Sequence, residues 1–286
     1  MEITAELVKT LRNKTDAGMM DCKKALKETG GDLEAAVAYL RQKGLAVASK
    51  RADRATSEGA VWASIAPDQK SGLLLEVNCE TDFVAKTPAF VELGVRLTEH
   101  VAACGQKDCG GEVVQHCRHL PEQTVTDYVT DVIAKTGEKC QLRHFTCYSG
   151  DLVAAYIHHG GKIGVMLELS GGGTAPEAVA AAKDLAMQVA ATIPAAVGRE
   201  EISPELIAKE KAIYEAAAKD SGKPAQIIEK MVIGRLEKFY KEVCLVEQTF
   251  VKNPDITVSQ FLKEVGGKLG GKDLKVKRFT RYQVGA

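Results

Sequence analysis

The sequence predicts an α+β fold made of a three-helix N-terminal domain, two related antiparallel-sheet-plus-helix core subdomains and an inserted helical hairpin. Three observations support this. Capped segments of helical period fill the first 45 residues, a period-two hairpin followed by a helix occurs twice, and a highly charged helical pair interrupts the second such unit. A chain of 286 residues is also long for one core, so several units are expected.

Residues 1–45 read as three short helices. Thr4 caps the first, with Ile3 and Val8 as a hydrophobic staple and Leu7 and Leu11 facing inward; it stops near Asn13. The second runs from about Met19 to Thr29 and ends at Gly30-Gly31. Asp32 caps the third, which turns Leu33, Val37 and Leu40 inward and closes at Gly44. So small a unit suits docking better than catalysis. Residues 46–58, rich in alanine and charge, read as a linker.

The first core subdomain, 59–149, opens with strands over Ala60–Ile65 and Leu73–Cys79. Leu73, Leu75, Val77 and Cys79 alternate with Leu74, Glu76, Asn78 and Glu80, which predicts one buried face. Thr87 and Pro88 start a helix to about Cys104 that turns Phe90, Gly94, Leu97 and Val101 toward the hairpin. A helix from about Glu122 to Thr136 and a strand from about Lys139 to Tyr148 complete the subdomain. The second subdomain, 150–199 with 245–286, has strands at Leu152–His158 and Lys162–Leu169 around a His159-Gly160-Gly161 turn, then a helix from about Pro176 to Thr192. A short helix capped by Thr257 and a strand from about Leu274 to Tyr282 end it. Residues 200–244 form the arm, two charged helices broken at Asp220-Ser221-Gly222-Lys223-Pro224. No letter-level repeat links the two subdomains.

With 38 basic and 38 acidic residues the formal charge is zero, which argues against general nucleic-acid or membrane affinity. The N-terminus MEITAELVK has no apolar signal core, and no apolar run reaches bilayer length, so a cytoplasmic protein is expected. Eight cysteines without dense spacing fit reduced thiols.

The chemistry-bearing stretch is the exit of the second strand. Thr81, Asp82 and Phe83 place a carboxylate and a large aromatic on one stiff corner. By composition alone a lone Phe there is ordinarily a core residue, and Asp beside Thr a cap. Thr81 to Lys86, TDFVAK, resembles the signature of the elongation factor Ts family, and Thr15 to Leu26, TDAGMMDCKKAL, resembles that family's N-terminal signature in the right order. The likeness extends more loosely over almost the whole chain. It implies a ubiquitin-associated-like N-terminal domain and guanine-nucleotide exchange on elongation factor Tu, bound to GDP or nucleotide-free, without bond-breaking chemistry, cofactor or metal. It also implies that Phe83 wedges near the partner's magnesium site with Asp82 beside it, flanked by Thr81 and Val84. Arg12, Met19, Met20, Cys22 and Lys23 are the implied docking residues of the N-terminal domain, and His159 that of the second subdomain. Asp16 stands where the family usually has glycine. Met19 and Met20 also fit a core, and Lys23 and Lys24 a solvated face. Longer members carry a further C-terminal helical module that touches the partner; with Ala286 soon after the last strand, that contact is not expected. The arm is a candidate surface for self-association.

Rival signals are weaker. Cys104, Cys109, His116, Cys117 and His119 have zinc-suited chemistry but no paired CxxC spacing, and Ser170 to Thr174 lacks the lysine of a phosphate loop. No GxSxG or HExxH motif occurs. Lys268, Lys272, Lys275, Lys277, Arg278 and Arg281 make RNA binding by the C-terminal strand the alternative function, although alternation on an edge strand accounts for most of these charges.

Overall fold

A computed structural model describes residues 3–15, 17–103, 124–219 and 224–286. The N-terminal helices are α1 (Ala5–Thr15), α2 (Met19–Glu28) and α3 (Leu33–Lys50), packed around Val8, Leu11, Cys22, Leu26 and Leu40. The Thr4 Oγ1 accepts from the Leu7 N–H, and the Asp32 carboxylate from the Glu34 and Ala35 N–H groups, as N-caps do. Helix α3 does not close at Gly44. It continues to Lys50 through residues expected to be a linker, because its alanine-rich second half has a face to bury. Gly44 is the contact point: a Cβ there would lie 3.0 Å from the Ala134 Cβ, so the helix backbone rests directly on a core helix.

Strands β1 (Glu58–Ile65), β2 (Ser71–Cys79) and β3 (Cys140–Ser149) form an antiparallel sheet in that order. The short helix α4 (Asp82–Ala85) leaves β2, and α5 (Pro88–Ala103) and α6 (Val125–Thr136) cover one face. Thr124 caps α6 with Asp127 in a reciprocal box, later than the expected start near Glu122, which lies outside the described residues. A second sheet has the order β4 (Leu152–His158), β5 (Ile163–Ser170), β8 (Lys275–Gln283). Helices α7 (Pro176–Thr192) and α10 (Val258–Lys268) cover it, and β6 (Thr249–Phe250) with β7 (Asn253–Thr257) adds a small hairpin that the sequence pattern did not predict. The arm is α8 (Pro204–Lys219) and α9 (Ala225–Val243); Arg199 ties its base to the core by pairing with Glu237 and Glu247. Of the residues expected to break the arm, Asp220 to Lys223 lie outside the described set.

The two sheets face each other through Val61, Leu74, Tyr148, Val153 and Met166, and the Tyr148 and Thr280 hydroxyls meet at 2.7 Å. Strand β2 is therefore buried on both faces and not on one. Leu73, Leu75, Val77 and Cys79 meet the helices, while Leu74 meets the second sheet. Glu76 and Asn78, expected in solvent, are buried; the Asn78 Nδ2 donates to Glu76 Oε1 at 2.9 Å, and Arg143 lies 3.5 Å from Glu76. Buried polar atoms need such partners.

Under α5, Gly94 lets Trp62 lie flat against the helix: a Cβ would sit 2.2 Å from the indole ring. Gly94→Ala should overpack this contact at a cost of about 1–3 kcal/mol. Trp62 is the only tryptophan, so denaturant unfolding followed by its fluorescence should show an earlier midpoint and a shifted native emission.

Candidate functional site

The corner after β2 is built by long-range carboxylate bonds. Thr81 Oγ1 accepts the Val84 N–H at 3.4 Å, starting the single turn of α4. Glu138, 57 residues away, takes both polar groups of that threonine: the N–H donates to Oε2 at 3.0 Å and the hydroxyl to Oε1 at 2.8 Å. Glu80 is held likewise. Its carboxylate accepts from the Lys139 N–H at 2.7 Å, Arg51 at 2.8 Å and Arg54 at 3.0 Å. Since Arg51 follows the end of α3, the N-terminal helices and the corner share one ionic anchor.

With the backbone pinned, Val84 points inward and is buried, while Phe83 is 80% exposed. A large aromatic this accessible on a braced turn is unusual, because burial would contribute about 1.5–3 kcal/mol. Asp82 pairs with Lys86 at 2.7 Å along the turn, and that hydrogen bond is the main cause holding its carboxyl below the usual range. Thr87 then caps α5, accepting from the Phe90 N–H at 3.3 Å.

His159 belongs to the turn joining β4 to β5, is exposed, and has a positive φ of 50°. Gly161 follows at φ 95° so close to β1 that a Cβ would meet the Ala60 Cβ at 2.9 Å. Lys162 reaches Glu58 Oε2 at 2.5 Å and the Gly59 carbonyl at 3.3 Å. Gly59 has φ 145°, and a Cβ there would lie 2.1 Å from the Val77 carbonyl oxygen. Glu58 is the register partner of Cys79. The His159 turn and the Phe83 turn thus sit at the same end of the first sheet.

On α2, Met19 is 48% and Met20 75% exposed, so both face solvent and neither fills the core. Lys23 on the same helix and Arg12 on α1 are exposed as well. Cys22, unlike the two methionines, is fully buried, its Sγ 3.6 Å from the Ala17 carbonyl. The alternation of α2 puts Cys22 on the face shared with Ala25 and Leu26. Val84, also an implied contact residue, is buried in the cluster under α5 and α6. Asp16 lies outside the described residues, as do Cys104, Cys109, His116, Cys117 and His119.

Glu80, Glu138, Arg51, Gly59 and Lys162 escaped the sequence reading. Their partners lie tens of residues away, and no local pattern marks them. Among the described residues no group of three His, Cys, Asp or Glu suits a metal ion, and no helix is long and apolar enough to cross a membrane. On β8, Arg278 is taken up by Glu168 at 2.7 Å and lies over the Tyr148 ring, while Lys275 pairs with Asp273.

Burial alone would push the Glu80 carboxyl up, but the bonds from Lys139, Arg51 and Arg54 outweigh it and bring the pKa from 4.5 to about 2. A depressed carboxylate contributes stability above its unfolded pKa and loses it as pH falls through the folded one. The stability difference between the native chain and Glu80→Gln should therefore be level above pH 4.5 and shrink as pH falls toward about 2, as read by denaturant midpoints at each pH.

Comparison with known proteins places these elements in a family. Residues 80–286 match the family model described as Elongation factor TS. Elongation factor Ts of Clostridium botulinum strain ATCC 19397 is 45% identical over 287 aligned residues, covering 99% of this chain and 92% of that protein. The Alaska E43 strain's protein is 45% identical over 285, covering 99% and 93%. The chain therefore belongs to the elongation factor Ts family of translation factors.

Proposed function

We propose that this chain promotes GDP release from elongation factor Tu by inserting Phe83 beside the magnesium and phosphate site and stabilising the nucleotide-free state until GTP binds. The observation that carries this reading is the braced, 80% exposed Phe83 on α4. A GTP-binding protein holds its diphosphate through backbone donors, a lysine and a magnesium ion, so release is slow until that arrangement is disturbed. A rigid ring loses little rotamer freedom on insertion, and the apolar surface it holds in water becomes a gain when the partner covers it. Linkage then requires that GDP weaken the complex by the same factor by which the factor weakens GDP.

Asp82 and Thr81 orient the ring, with Val84 as the root of the turn. His159 offers a second contact on the same end of the sheet. The three-helix unit acts as the docking head through Arg12, Met19, Met20 and Lys23, and α3 carries it at a set distance from the corner. Flexible thioethers suit such an adaptable surface. No bond in the nucleotide changes, so no catalytic residue, cofactor or resident metal is invoked, and the site of action is the cytoplasm.

Release of fluorescent GDP from elongation factor Tu, followed by stopped flow, should accelerate when the chain is added. Phe83→Ala should cut the stimulated rate by about thirtyfold or more, the effect of losing a contact of about 2 kcal/mol or larger. Its unfolding midpoint should stay within about 0.5 kcal/mol of the native chain, as for an exposed side chain. Unchanged release with Phe83→Ala would contradict the proposal.

A further inference from the structure

Cys79 and Cys140 are directly opposed across β2 and β3, and both are buried free thiols in the cluster under α5 and α6. Directly opposed residues of an antiparallel pair point to the same face with Cα atoms about 4.5–5.5 Å apart. That spacing lies within the range of about 4.4–6.8 Å that a disulfide spans, so closure asks for side-chain rotation and not for backbone movement.

Two further observations give the pair an entrance and a consequence. Cys140 lines a cleft of about 420 Å³ between α6 and the outer strand β3, together with Val129, Ile133, Leu142 and Phe145. Cys79 donates its S–H to the Thr81 carbonyl at 3.1 Å, at the root of the turn that presents Phe83. We propose that Cys79 and Cys140 are a peroxide-sensitive thiol pair whose closure to a disulfide removes this donor and alters the corner. The effect on exchange rests on the function proposed above; the disulfide itself does not.

The oxidant class is a small neutral peroxide that enters the cleft. The Cys140 sulfur attacks one peroxide oxygen, the O–O bond breaks, and the departing hydroxide leaves as water with the thiol proton, giving a sulfenic acid. The Cys79 sulfur then attacks the Cys140 sulfur, the S–O bond breaks, and the hydroxide released takes the Cys79 proton as a second water. Two thiols have lost two electrons and two protons, and one peroxide has become two waters. Burial pushes both thiols up to about 12, so little of the nucleophilic thiolate is present at neutral pH; closure is slow and answers sustained oxidant, and it is the facing geometry of the two sulfurs, not their acidity, that makes them a pair.

The test treats the full chain with hydrogen peroxide, alkylates remaining thiols and maps peptides without reduction. The expected product joins the Cys79 and Cys140 peptides with the loss of two hydrogens. Stimulated GDP release should slow roughly two- to tenfold, the scale of one hydrogen bond at the corner, and recover with dithiothreitol. Cys140→Ser, or Cys140→Ala if the serine variant folds poorly, should stimulate release normally and be insensitive to peroxide. Separate alkylation of the two cysteines, or linkage of either to another cysteine, would overturn the site; a linked pair with unchanged release would overturn its coupling to the corner.

Discussion

Two carboxylates decide where this chain presents its aromatic ring. Glu80 and Glu138 accept from three backbone or hydroxyl groups and two guanidinium groups around the exit of β2, and charge-assisted bonds of this kind contribute more than neutral ones. Without such pinning, a Phe on a one-turn helix would be drawn into the adjacent apolar cluster, where Val84 already sits. The exposed ring is held in place against its own hydrophobicity, and that stored surface is what a partner can cover.

The same anchor organises the rest of the molecule. Arg51 and Arg54 bring the end of α3 onto Glu80, Gly44 seats α3 on α6, and the Met19 and Met20 surface is carried on the helices packed against α3. From the other side, Lys162 on Glu58 fixes the His159 turn to the first residue of β1, opposite Cys79. Three exposed patches that are far apart in sequence are thus referred to one strand end. A bivalent contact between head and corner would gain from this rigidity, since the second contact forms without further search.

Much of this was legible in the residues. Period-two runs located β1, β2, β4 and β5, and cap residues Thr4, Asp32, Thr87 and Thr257 located helix starts, because both signals are local. Composition alone made Phe83 a core residue; only the resemblance of TDFVAK to a family signature pointed to an exposed ring. What failed was everything decided by a distant neighbour. Glu76 and Asn78 look solvated until a second sheet covers them, and Gly44 looks like a stop until Ala134 is found against it. Glu138 carries no mark in its own segment that it will bind Thr81, 57 positions earlier.

The most direct test leaves the ring untouched and removes its anchor. Glu138→Ala deprives Thr81 of the acceptor for its N–H and hydroxyl while Phe83 and the docking head remain. With far-UV circular dichroism matching the native chain, stimulated GDP release from elongation factor Tu should fall clearly, because a loosened turn no longer holds the ring in a single pose. Full stimulation by Glu138→Ala would show that the pinned corner is not what makes the ring effective.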